Sequence, residues 1–267
     1  MKVYFEIFKI NLKMLVFYRR GFYISIILHP LILILYISLL NSIYANNPQK
    51  IILGYTCSQM IWYFAGISFF YFLVWCTSDK ELSESIISGD MAIRLIKPLS
   101  LMKYEFAKTL SVKVLGFIFE FVPICIIYII LVFPDFISPT SIFKYAIISS
   151  FAFLLCFFMS FLIGITAFAW QSVNALQGLK NLLINFAAGA FIPIEFFPNS
   201  VQKVIKMLPF QYILYVPVQF LLNKPETQNW IYFIKVLINL TIWIIVFYIL
   251  CKISLKLMVK KFSSVGG

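Results

Sequence analysis

The stretch Tyr145–Trp170, YAIISSFAFLLCFFMSFLIGITAFAW, contains no Asp, Glu, Lys or Arg. A helix needs about 20 apolar residues to cross the hydrocarbon core of a bilayer, and this run is long enough. Working outward, Phe22–Tyr44 and the shorter Met60–Cys76 are also free of charge, and Val114–Phe133 carries only Glu120. Trp230–Cys251 holds a single Lys235. Asn181–Ile194 is short; it becomes adequate only by starting near Ala175 and tolerating Lys180. The pattern predicts an all-α membrane protein with six transmembrane helices, built as one domain over residues 1–267.

Composition agrees. Sixty-two percent of the residues are apolar and the mean hydropathy is +0.96, values far from those of a soluble domain. Thirty Phe and 15 Tyr suit lipid contact and the interfacial belts. The cysteines at 57, 76, 125, 156 and 251 lie in or beside spans without metal-ligand spacing, and read as small buried hydrophobes.

The net charge of +12 invites a nucleic-acid reading, but the distribution opposes it. Lys2, Lys9, Lys13, Arg19 and Arg20, five basic residues from Lys80 to Lys108, Lys180, and the tail with Lys252, Lys256, Lys260 and Lys261 all fall on one side. Lys50, Lys144, Lys203, Lys206 and Lys224 fall on the other. The positive-inside rule then predicts cytoplasmic N and C termini, as an even number of spans requires. The charge is topology and contact with anionic lipid, with no nucleic acid implied.

No cleavable leader is read in the first twenty residues, where charge interrupts every apolar run. Lys2, Glu6, Lys9 and Lys13 instead recur at helical spacing among Phe5, Ile7, Phe8, Leu12 and Leu15. Residues 1–20 are expected to form an amphipathic interfacial helix before Gly21 turns the chain into span 1. The alternative is a plain extension of that span into water.

The loop over residues 78–100, SDKELSESIISGDMAIRLIKPLS, holds a short helix capped by Ser78 or Asp79, with Glu81 in its first turn and Gly89 as its stop. Glu81, Glu84, Ser85 and Ser88 share a face opposite Leu82 and Ile86. A second piece, Met91–Lys97, ends before Pro98. This segment is either a solvated connector or a docking element. Farther on, Ser200 can cap a helix with Val201, Val204, Ile205 and Leu208 on one face, stopped by Pro209. Gln211–Leu222 is too short to cross and is interrupted by Pro217. Residues 195–228 therefore predict two short half-helices dipping into the outer leaflet.

The order of these parts, with SESIISGDMAIRLIKPLS after span 2, GAFIPIEFFP after span 5, then LPFQYILYVPVQF and a basic tail ending SSVGG, resembles the permease subunits of ABC-2 type ATP-binding-cassette transporters, in a poorly characterised bacterial branch. The resemblance covers essentially the whole chain. It implies a multi-pass protein of the bacterial plasma membrane, paired with a second permease copy as homodimer or heterodimer. Each copy docks a cytoplasmic ATPase that binds ATP and Mg2+, so the permease itself is no enzyme and holds no cofactor. It implies a coupling helix at Asp79–Gly89, with Glu81, Leu82, Glu84, Ile86, Ser88, Gly89 and Asp90 as its contact residues. It also implies that spans 2 and 5 line the path and the subunit interface, with Trp62, Phe69, Asn181, Asn185 and Gly189 as candidates. The substrates expected are hydrophobic or amphipathic drugs, peptides or lipid-like molecules, moved outward.

The residues alone support the separate engine, since no glycine starts the G-x-x-x-x-G-K-[ST] phosphate loop. A proton-coupled transporter is the rival, resting on two intramembrane ionisable groups, His29 and Glu120, with Lys113 two turns before Glu120. For Glu120 a paired packing role stands beside the transport one. In span 5, Asn181, Asn185 and the small residues Ala187–Ala190 fit either ordinary helix packing or a pathway wall. An intramembrane hydrolase or metalloenzyme lacks the residues it would need.

Overall fold

The computed structural model describes residues 2–17, 20–45, 51–96, 98–169 and 173–259. Arg19, Lys50, Lys97, Trp170 and the tail with Lys260 and Lys261, all used above, lie outside them. The described chain is helical apart from one small hairpin. Helix α1 (Lys2–Phe17) precedes α2 (Arg20–Ala45). Strands β1 (Ile51–Ile52) and β2 (Tyr55–Thr56) pair antiparallel through Leu53 and Gly54, both at positive φ, as a two-residue primed turn demands. Thr56 then opens α3 (Cys57–Leu73) with a reciprocal capping box to Gln59. Two short helices, α4 (Ser78–Ile87) and α5 (Asp90–Ile96), fill the loop.

The third pass is α6 (Leu101–Gly116), a π turn at Phe117–Phe121, and α7 (Val122–Leu131). It starts well before the expected Val114, and Glu120 lies inside the π turn. Pro123 supplies the reason: it has no N–H to bond the carbonyl four residues back, and the widened turn absorbs that lost bond. The remaining elements are α8 (Pro139–Ile165), α9 (Asn174–Ala187), α10 (Asn199–Met207), α11 (Tyr215–Leu221), α12 (Pro225–Gln228) and α13 (Trp230–Val259).

Three expectations need correction. Gly21 does not turn the chain, because it lies within α2. Five of the described helical segments are long and apolar enough to cross a bilayer, and α10 with the Pro209–Leu221 stretch makes a sixth if that bent pair is one span. The predicted fifth span is α9, whose 14 residues reach only about 21 Å. Helix α10 begins after Pro198 without a side-chain cap, so Ser200 is not its cap.

Hydrogen bonds tie the helices together at two ends. At one end, near the hairpin, Tyr63 OH donates to the Gly189 carbonyl at 2.6 Å and Trp62 Nε1 to the Val132 carbonyl at 2.8 Å. Lys144 Nζ binds the Thr227 and Gln228 carbonyls there, both at 2.9 Å. At the opposite end Lys180 reaches Asp79, Cys251 Sγ reaches the Phe158 carbonyl, and the Ser100 N–H donates to Tyr4 OH. Helix α9 thus connects the two ends despite its length. The hairpin-end chain meets it partway, since Gly189 is held by a tyrosine inside α3. The expected outer segment is present as α10 and the Pro209–Leu221 stretch, bent 76° to each other.

Helix α8 is the centre. It touches α3, α4, α6, α11 and α13; 56% of its most apolar stretch is buried, close to the 61% of the α3–α4 stretch and well above the 17% of α2 and of α13. The latter two turn Ile and Leu outward along most of their length, as helices facing lipid or another subunit do.

One close approach sets the position of the bent segment. A Cβ on Gly66 of α3 would stand 2.6 Å from Val218 Cγ2 of α11. Gly66→Ala is expected to lower stability by about 1–3 kcal/mol, an overpacking cost. Adding Val218→Ala should recover part of the loss in thermal unfolding of the detergent-solubilised protein.

Candidate functional site

Helix α4 carries the chemistry that distinguishes this loop from a connector. Thr77, not Ser78 or Asp79, precedes the helix, and no side chain caps it. Asp79 instead occupies the first turn, where a carboxylate complements the helix dipole. Its Oδ2 accepts from Lys180 Nζ of α9 at 2.8 Å, and both side chains are almost fully buried, 4% and 2% exposed. The ammonium also donates to the Cys76 carbonyl and to Ser160 Oγ of α8, each at 3.2 Å, and stands 4.8 Å from the Trp75 ring centroid. Three donors therefore meet three acceptors, the condition for keeping such a charge out of water.

That ammonium joins the α3–α4 link, α4, α8 and α9 at one point. Leu82 and Ile86 complete the seat, at 0% and 6% exposure. A Cβ on Gly164 of α8 would lie 3.1 Å from the Asp79 Cα, so any larger residue there would push α4 back by a few tenths of an ångström. Gln177 of α9 adds a 3.4 Å bond to Ser83. The expected apolar pair of α4 thus faces inward and is closed to any soluble partner.

What remains outside is a strip. Glu84, Ser88 and Asp90 are exposed, Glu81 is half-buried in an ion pair with Lys108, and Gly89 ends the helix at φ +84 as expected. Ile87, Ile93 and Ile96 are exposed beside them, at 53%, 64% and 84%. These exposed isoleucines alternate in sequence with Glu84, Asp90 and Arg94, which gives the outward side of the loop both apolar and charged groups. Arg94 fixes α5 beneath it through a 3.0 Å pair with the buried Glu105.

The residues expected on the pathway divide. Trp62 and Phe69 are buried within this subunit, edge-on to each other and packed on Tyr128 of α7, with Phe69 also against Phe121. They are not on a face open to a second copy, because the π turn and α7 cover them. Asn185 of α9 accepts from Tyr71 OH at 3.2 Å. Asn181 Oδ1 is buried without a hydrogen-bond partner among the described residues. Gly189, at φ +80, ends α9 and receives Tyr63.

His29 lies edge-on to Phe72, ring centroids 4.8 Å apart. Glu120 and Lys113 line one small cleft of about 200 Å³ with Lys108 and Glu81. Lys113 Nζ also caps the end of α3 by donating to the Tyr71 and Phe72 carbonyls at 3.3 Å each.

A polar cluster at the hairpin end was missed by the sequence reading. Glu195 accepts from Tyr55 OH at 3.0 Å and from Tyr215 OH. Gln219 Nε2 donates to Tyr55 OH at 2.6 Å, and Lys224 Nζ sits 3.7 Å over the Tyr55 ring while donating to the Gly54 carbonyl. Burial, then the Glu195 carboxylate, pushes the Tyr55 hydroxyl up out of the usual phenol range. The signal available was a lone acid inside the apolar run FIPIEFFP, between an aromatic hairpin and an aromatic α11.

The family model of the ABC-2 family transporter protein matches residues 30–266. No curated protein and no solved structure matches the chain. The match spans nearly all of the sequence, so this multi-pass membrane protein belongs to the ABC-2 transporter family and is the permease of an ABC transporter.

Removing one member of a buried ion pair strands the other. Lys180→Met or Asp79→Leu alone is expected to cost about 3–5 kcal/mol, and the double variant much less than the sum. Thermal unfolding of the four proteins in one detergent reads the coupling directly.

Proposed function

We propose that this ABC-2 family member is one half of a membrane pathway that exports a hydrophobic or amphipathic substrate, such as a drug, peptide or lipid-like molecule, at the expense of ATP. A second permease copy, identical or homologous, completes the path. A separate cytoplasmic subunit binds Mg2+ and ATP and hydrolyses it, leaving this chain without catalysis or cofactor. The protein resides in a bacterial plasma membrane, with both termini and the α4–α5 loop in the cytoplasm, as the positive charge at that end favours. Helix α1 lies along the same interface.

The observation that carries this reading is the buried Lys180–Asp79 pair. The ATPase contacts α4 on its exposed side, at Glu84, Ile87, Ser88, Gly89 and Asp90. Because Asp79, Leu82 and Ile86 are locked into α8 and α9, a push on α4 cannot be absorbed locally and must move those helices. Helix α9 then carries the displacement to Gly189 and, through Tyr63, to α3 and the bent segment at the exit. Asn181 and Asn185 face the path on α9. This couples nucleotide-driven closure to opening by a rigid element, the kind of two-state transmission that packed interfaces support.

Ile87→Asp and Glu84→Lys change only exposed positions. Each is expected to reduce co-purification of the ATPase about 10-fold or more, the loss typical of an interface anchor, with an unchanged unfolding midpoint. Normal ATPase binding by both variants, together with transport that stops when the proton gradient is collapsed, would move the energy source to Glu120 and His29.

A further inference from the structure

Lys103 of α6, and Lys252 and Lys256 of α13, line one cleft between α6, α8 and α13 at the end of the molecule that holds α4. Its volume is about 850 Å³ and none of its lining residues is acidic. Its walls are apolar, led by Phe106, Leu154 and Phe158. On α13 the residues Tyr248, Lys252, Leu255 and Lys256 follow the i, i+4, i+7, i+8 spacing of one helix face, so two lysines stand above an apolar floor. The nearest acid in sequence, Glu105, is 1% exposed and paired with Arg94, leaving it turned away from this cleft.

Lys103 also borders a second cleft, of about 460 Å³, between α1 and α6. Tyr4, Phe5, Phe8 and Leu110 line that one, and Phe106 is shared by both. A cationic rim thus sits between two apolar troughs. No other arrangement of cations among the described cavities has this form.

We propose that this double cleft binds one anionic diacyl phospholipid. The phosphate lies among Lys103, Lys252 and Lys256, and one acyl chain enters each trough on either side of Phe106. Three exposed ammonium groups around an anion supply the attraction, two of them held beside the Tyr4 and Tyr248 rings, and the aromatic walls supply the area a chain needs to leave bulk lipid. The bound lipid joins α1, α6, α8 and α13 at the interface, adding to the packing of α1 on α6 and the Tyr4–Ser100 bond. The site is independent of which substrate is transported.

The test is binding of radiolabelled phosphatidylglycerol to the delipidated full chain in neutral detergent. Lys103→Gln, Lys252→Gln and Lys256→Gln should each weaken binding about 5-fold, and the triple variant about 100-fold. The triple variant Lys203→Gln, Lys206→Gln, Lys235→Gln removes equal exposed charge elsewhere and should bind as the parent does. Phosphatidylcholine should bind far more weakly, and inorganic phosphate should not compete. Equal binding by the Lys103 triple variant and the parent would overturn the proposal. So would equal affinity for phosphatidylcholine, and so would displacement by inorganic phosphate, which would make this an anion site without a role for the chains.

Discussion

The ammonium of Lys180 sits where the α3–α4 link, α4, α8 and α9 converge, and it is satisfied by Asp79, the Cys76 carbonyl and Ser160 together. In a medium without water each of those groups would be costly alone. Held as a set, they define how close the four elements stand and at what angle. Gly164 and the inward pair Leu82 and Ile86 follow from that geometry, because α4 can seat its carboxylate only by lying directly on α8. The arrangement explains why a ten-residue helix in a loop is buried against the helical core.

The opposite end solves a related problem by different means. Helix α9 is too short to reach a bilayer face, so chain that would otherwise be exposed there must fold back toward it. The bent stretch does so, and its carbonyls, hydroxyls and amides are tied to the hairpin by Tyr55, Glu195, Gln219 and Lys224. Irregular backbone at such depth is stable only when shielded by protein, and α8, α3 and α13 provide the shield. A short pass and a buried polar cluster are two aspects of one compromise.

Much of this fold was legible because charge-free runs of bilayer length have few other uses. Three of the five long spans were readable from the absence of Asp, Glu, Lys and Arg alone, and the third pass and α13 with a single interruption each. The end of α4 at Gly89 was readable because a glycine there has a geometric purpose. Its burial was not, since the helix has one apolar and one polar face and nothing local says which is covered. Lys180 was read as a charge that a span tolerates, and Asp79 as a cap. Their pairing spans a hundred residues of sequence and is set by tertiary structure. Trp62 and Phe69 were misplaced for a simpler reason, that an aromatic on a membrane helix looks the same whether it faces lipid, a path or the core. The hairpin lacked the Asn-Gly or Asp-Gly pair that marks such turns.

The distance in sequence between Asp79 and Lys180 also imposes an order on biogenesis. Asp79 leaves the ribosome long before its partner, and a lone carboxylate at that depth would oppose insertion, so α4 must wait at the aqueous boundary while three further segments are made. Lys180 arrives on the one segment too short and too polar to insert unaided. The pair therefore acts as a late closure, in which the second pass recruits the fifth, and a chain stalled before α9 would display α4 to the cell's quality-control machinery as unfinished.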